Sequence, residues 1–117
     1  MDRLLNYFKI ISDETRLRIM VLLFHKELCV CQLCGITGIS QPNMSKHLAR
    51  LRDMGFVKDE RKEQYTFYSL NVEDKLFKDI LQKVVDNIQD YPILKSDLEK
   101  SKAAEKYIEL MNMKSRK

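Results

Sequence analysis

The chain has 117 residues, 44% of them hydrophobic and 32% charged, a balance that suits one soluble domain with a single core. Three glycines and two prolines are too few for a turn-rich β-sandwich or a collagen-like chain, and the longest apolar run, Ile19 to Phe24, is far short of the ~20 residues that span a bilayer. The net charge of +4 is concentrated over residues 41–70 and 91–117, which permits contact with an anionic partner such as DNA.

Leu4, Leu5, Phe8 and Ile11 recur at helical spacing and predict a first helix over 3–11. This start has no apolar stretch closed by a small-residue cleavage site, so no secretion signal is read, and a cytoplasmic protein without membrane contact is expected. Ser12, followed by Asp13 and Glu14, reads as a hydroxyl cap and an acidic first turn. The helix it opens carries Leu17, Ile19, Met20, Leu22, Leu23 and Phe24, and ends near His25. Cys29 and Gln32 have the spacing of a capping box, so a short helix is expected from Val30, with Gly35 and Gly38 easing its end and the next turn. Ser40 is the next cap, and Gln41 and Pro42 open a helix where proline loses no intrahelical bond. That helix carries Met44, Leu48 and Leu51 on one face and ends at Gly55.

Residues 56–61 and 65–70 are rich in β-branched and aromatic side chains and flank the polar Lys62, Glu63 and Gln64, the pattern of a β-hairpin. Asn71 reads as the cap of a helix over 72–89 with Leu76, Phe77, Ile80, Leu81, Val84, Val85 and Ile88, which Pro92 interrupts. Ser96 and Glu99 have capping-box spacing, and a last helix is expected to run to about Met111, with a frayed tail from Lys114 to Lys117. The expected fold is mainly α with a small β-hairpin: a winged helix-turn-helix. It is dimeric through the first helix and the 72–89 helix, whose apolar surplus exceeds what one core face needs. Residues 1–94 read as the DNA-binding and dimerisation domain, and 95–117 as its C-terminal helix and tail.

In such folds the second helix of the pair enters the major groove and the hairpin reaches the flanking backbone. At 100° per residue, Met44, Leu48 and Leu51 face the core. Pro42, Asn43, Lys46, Ala49, Arg50 and Asp53 then point outward, with Gln41 and Ser45 on one flank and His47 on the other. This face suits base-edge and phosphate contacts, and Arg61, Lys62 and Gln64 are phosphate candidates in the wing.

The three cysteines, Cys29, Cys31 and Cys34, fall within six residues, a poor disulfide framework and a plausible soft-ion or thiol site. In one ideal helix Cys31 and Cys34 lie about 60° apart and Cys29 on the far side. Either the cysteines are small buried hydrophobes, or ion binding remakes the helix start and draws Cys29 in. Thiols near a helix N-terminus are expected to ionise readily. The Cys31-x-x-Cys34 spacing also fits a thiol–disulfide oxidoreductase, but that motif needs a βαβ context that is missing here, so no enzyme is expected. A repressor whose cysteines oxidise is a further alternative.

The segments 12–19, 27–34 and 40–48 together with Tyr68-Ser69-Leu70 resemble the ArsR/SmtB family of metal-responsive winged-helix repressors over residues 4–72. The Glu27-Leu28-Cys29-Val30-Cys31-Gln32-Leu33-Cys34 segment resembles its arsenic-responsive branch, the arsenical resistance operon repressors. The resemblance implies a homodimer that represses its own operon and leaves operator DNA when arsenite or antimonite binds the thiolates of Cys29, Cys31 and Cys34, with no organic cofactor. Zinc sensors of the family use a His/Asp-rich site on the late dimerisation helix, and residues 73–113 have no His or Cys. Its cadmium and lead sensors add cysteines from an N-terminal arm, and residues 1–28 have none. The wing tip often carries glycine where this chain has Glu63 or Gln64. Three soft sulfur ligands suit a trivalent ion with a lone pair, while cadmium, lead, mercury and bismuth are chemically open.

Overall fold

The computed structural model describes residues 1–108. The elements among the described residues are α1 (Asp2–Ile11), α2 (Glu14–His25), β1 (Leu28–Cys29), α3 (Val30–Thr37), α4 (Gln41–Asp53), β2 (Val57–Lys62), β3 (Tyr65–Leu70), α5 (Lys75–Asp86) and α6 (Pro92–Ser101), with a 3₁₀ turn at Ile88–Asp90. Among the described residues no helix is long and apolar enough to cross a membrane.

Helix α2 is the hub. Ile19 to Leu23 are all buried, so it meets neighbours on every side. Its cap is Asp13, whose carboxylate accepts the Arg16 N–H at 3.0 Å. Ser12, expected in that role, closes α1 instead: its N–H bonds the Phe8 carbonyl and its hydroxyl donates to the Lys9 carbonyl at 2.7 Å. The carboxylate wins because its full charge meets the positive end of the helix. Tyr7 joins α1, α5 and the hairpin root. Its ring stacks on Phe77 with centroids 4.2 Å apart and meets Phe56 edge-on, and its hydroxyl donates to the Phe77 carbonyl at 3.0 Å. Burial pushes the Tyr7 phenol up to about 12.

The short helices form as expected. Cys29 caps α3 in a capping box, with the Gln32 side-chain oxygen accepting the Cys29 N–H at 2.9 Å. Ser40 precedes α4 as its cap residue, without a side-chain bond. Met44, Leu48 and Leu51 are fully buried. Gly38 (φ 76°) and Gly55 (φ 83°) take left-handed conformations after α3 and α4, where a side chain would be strained. β2 and β3 pair from Val57↔Leu70 to Lys62↔Tyr65, so the turn is only Glu63 and Gln64, and Glu63 takes φ 57° where glycine would be relaxed.

The hairpin is part of a three-stranded sheet, order β1-β3-β2, in which Leu28 pairs with Tyr68 and Cys29 with Phe67. A two-residue strand has no period to read, so β1 was not expected. Asn71 does not cap α5. It bonds the Phe56 and Gly55 carbonyls, fastening the end of the wing, and Asp74 precedes α5. Pro92 occupies the first turn of α6, so Ser96 lies inside that helix and its capping box with Glu99 does not form. Helix α6 stops at Ser101, and helical backbone resumes only at 105–108 after a turn. Met111 and the tail from Lys114 to Lys117 lie outside the described residues.

Candidate DNA interface and cysteine site

The face of α4 opposite its buried stripe presents Gln41, Pro42, Asn43, Ser45, Lys46 and Arg50, all exposed, while His47 is half-buried. His47 lies close enough to the α2 cap to help lower the Asp13 pKa. The positive end of α4 adds to the Lys46 and Arg50 charges, so the surface is cationic. Arg52 turns away and pairs with Asp59 of β2 at 3.2 Å.

Arg61, Lys62 and Gln64 are exposed on the wing, and each has a partner there. Arg61 Nε donates to the Glu63 carbonyl at 3.4 Å, and the Gln64 amide donates to the Tyr65 hydroxyl at 3.0 Å. Lys62 pairs with Glu27, just before β1, and its ammonium sits 5.6 Å from the centre of the Phe67 ring. Glu27 thereby ties the wing to the cysteine strand. Its spacing from Lys62 in the chain carries no signal of that, because only the β1–β3 pairing brings them together.

The cysteines sit where that sheet turns into α3. Cys29 is extended (φ −90°, ψ 170°) and buried, and its sulfur lies 2.8 Å from that of Cys31. The helical-wheel expectation, Cys31 beside Cys34 with Cys29 opposite, is therefore replaced by a Cys29–Cys31 pair. The wheel does not apply to a residue in a strand, and the bend from β1 into α3 swings the Cys29 sulfur over the first helical turn. Cys31 and Cys34 are half-buried. Among the described residues, no three His, Cys, Asp or Glu side chains are grouped closely enough to hold a metal ion, so Cys34 stands apart from the pair.

The expected easy ionisation is also reversed. Burial pushes the Cys31 thiol up to about 12, with the hydrogen bond and charge of Cys29 adding to it. Burial, then the Cys29 charge, raises Cys34. Desolvation outweighs the helix terminus, so both thiols keep their protons at neutral pH.

Behind the cysteines, α3 is held from the C-terminal side. Arg18 donates to both Asp97 carboxylate oxygens, at 2.8 and 2.9 Å, and to the Thr37 carbonyl at 3.1 Å. The Gln32 amide donates to the Ala104 carbonyl at 3.3 Å. Sequence reasoning gave neither Gln32 nor Asp97 a role beyond capping or solvation; a buried acid such as Asp97 is visible only once its arginine is placed beside it.

The family described as bacterial regulatory protein, arsR family, matches residues 13–59, from the α2 cap into β2. The chain is 42% identical over 86 residues to the arsenic resistance transcriptional regulator ArsR1 of Pseudomonas putida, covering 72% of this chain and 67% of that one. It is 48% identical over 65 residues to the arsenical resistance operon repressor of Escherichia coli, covering 55% of this chain and 56% of the relative. The chain thus spans about half to two thirds of the length of these relatives. The cadmium resistance transcriptional regulatory protein CadC of Listeria innocua aligns at 40% over 63 residues, 53% of each chain. Among solved structures, the homodimeric winged helix-turn-helix DNA-binding domain of Mb0332 from Mycobacterium bovis, a possible ArsR-family regulator, superposes with a TM-score of 0.62. It shares 28% identity and covers 75% of this chain and 82% of that one.

Proposed function

This chain belongs to the bacterial arsR family of regulatory proteins, and from that premise we propose that it is an operator-binding repressor whose release from DNA is triggered when arsenite or antimonite binds Cys29, Cys31 and Cys34. Its relatives are transcriptional regulators, and its fold is a winged helix-turn-helix, not an enzyme's. The observation that carries the inducer reading is the Cys29–Cys31 sulfur pair at the start of α3, the helix that packs on α4. Two soft donors are in contact and a third, Cys34, is one helical turn away, a donor set that suits a lone-pair trivalent ion. Cadmium or lead is the second reading, supported by the similarity to CadC. Oxidation of the adjacent Cys29 and Cys31 thiols to a disulfide by a peroxide is the third.

The protein works in the cytoplasm as a homodimer. Support comes from exposed Leu5 and Phe8 on α1, Leu76 on α5, and an apolar groove along α5 lined by Leu17, Leu76, Ile80 and Val84. Two copies related by a two-fold axis would set α4 of each in successive major grooves of a palindromic operator. Gln41, Asn43 and Ser45 then meet base edges. Pro42 shapes the start of the helix, Lys46 and Arg50 meet phosphates, and His47 lies at the margin. Arg61, Lys62 and Gln64 meet the backbone beside the wing.

The test is fluorescence anisotropy of a labelled operator bound by the protein, titrated in turn with arsenite, antimonite, cadmium, lead and hydrogen peroxide. Arsenite and antimonite are expected to release the DNA at the lowest concentrations, and each of Cys29→Ser, Cys31→Ser and Cys34→Ser to bind operator but respond weakly. Release of all three variants at wild-type concentrations sinks the reading. Lys46→Ala is expected to weaken binding evenly across operator sequences, and Gln41→Ala to change which bases are preferred.

A further inference from the structure

We propose that the C-terminal segment from Pro92 to Tyr107 is a clasp on the cysteine helix, and that its hold sets the inducer concentration at which the protein releases DNA. The threshold rests on the reading of Cys29, Cys31 and Cys34 as soft-ion ligands. Three ties make the clasp. The Arg18–Asp97 pair joins α6 to the last turn of α3 through the Thr37 carbonyl, and Asp97 is 2% exposed. Gln32 holds the Cys29 N–H with its oxygen and the Ala104 carbonyl with its nitrogen, so one side chain connects the capping cysteine to the clasp. The Tyr107 ring lies on Gly35, where a Cβ would meet ring carbons at 2.1 to 2.7 Å. Only glycine lets the ring seat there, on the turn that carries Cys31 and Cys34.

In this arrangement the Cys29 and Cys31 sulfurs touch and Cys34 stands apart. Bringing Cys34 to the pair moves groups on the 31–35 turn, and Gln32 and Gly35 are the residues of that turn the clasp grips. An ion shifts the balance only by its extra affinity for the gathered arrangement. Contacts that favour the other arrangement therefore raise the ion concentration needed. Tyr107 and Gln32 are positioning residues in this scheme; neither touches the ion.

The test uses Tyr107→Ala, Tyr107→Phe and Gly35→Ala in the full chain. Tyr107→Ala and Gly35→Ala are expected to lower the arsenite concentration for half-release of a labelled operator by about three- to tenfold, with operator affinity unchanged in the absence of arsenite. Tyr107→Phe, which keeps the ring, should behave as wild type. The Gly35→Ala result has a sign of its own: without the ring contact, alanine would strengthen α3 and raise the arsenite requirement. The double variant should go no further than either single one, because the ring is what the new methyl meets. A second readout needs no ion: alkylation of Cys31 and Cys34 by iodoacetamide should quicken in Tyr107→Ala and not in Tyr107→Phe. Unchanged alkylation rates, or release at the wild-type arsenite concentration in both Tyr107→Ala and Gly35→Ala, overturns the clasp. A wild-type protein that ignores arsenite overturns the metalloid reading and the threshold with it, while the alkylation rates still decide whether the segment holds the helix.

Discussion

Asp13 is held below its ordinary range chiefly by the Arg16 N–H; burial opposes this, and the Arg16 and His47 charges add smaller pulls downward. Asp13→Ala is expected to cost about 1 kcal/mol at neutral pH. Because the folded pKa is depressed, that stabilisation is complete above about pH 4 and is lost as pH falls through the lowered value. Denaturant titrations should therefore show wild type and variant converging in acid. The thiols make a different prediction. Under the proposed function, arsenous acid would arrive as As(OH)₃ and each thiol proton would leave with a hydroxide as water, so three S–As bonds would replace three As–O bonds with no net proton released. A cadmium ion must instead expel the protons that burial keeps on Cys31 and Cys34. Calorimetric titrations between about pH 6 and 8 should show nearly constant arsenite affinity, while cadmium affinity rises about tenfold per pH unit for each proton displaced. Equal pH dependence for the two would argue against this site.

Helix α3 is only eight residues long, so its position depends on what it is tied to. The Arg18–Asp97 pair, whose side chains are 15% and 3% exposed, is a main tie. Asp97→Ala takes two charge-assisted bonds from the partly buried Arg18, which keeps the Thr37 carbonyl, and should cost about 1.5–3 kcal/mol, whereas Arg18→Met with Asp97→Leu should cost less than that single truncation. Chemical denaturation at one fixed protein concentration compares them. This element also shows what could be read from the chain beforehand. Helices α2 and α4 were legible from the spacing of Leu17 to Phe24 and of Met44, Leu48 and Leu51, and the wing from its aromatic strands. The start of α3 was legible from Cys29 and Gln32. The Cys29–Cys31 contact was not, because a wheel extends a helix through a residue that sits in a strand. The early end of α6 was not either, since Ser101 and Ala104 resemble any helical residues until Gln32 is seen bonding the Ala104 carbonyl.

At the scale of the molecule, α1 and α5 are bound through Tyr7, yet they leave Leu5, Phe8 and Leu76 about half exposed. A second copy of the chain covers them under the proposed function. Phe8→Glu places a charge in that contact and should give a folded monomer in sedimentation at micromolar concentration, with operator binding lost because one subunit reads only half a palindrome. A Phe8→Glu protein that sediments as wild type would remove α1 from the interface.

The tie between Glu27 and Lys62 has a thermodynamic consequence for any attempt to count backbone contacts. Before DNA arrives, the Lys62 ammonium is already neutralised by a carboxylate. Under the proposed function, carrying it to a phosphate would break that pair, while the duplex would still shed a counterion. The contact would keep its share of the dependence of affinity on ionic strength but add less binding free energy than one from an unpaired lysine. A tally of phosphates taken from that dependence would therefore include the wing contact beside the cysteine strand, and the broken ion pair would show only in the affinity.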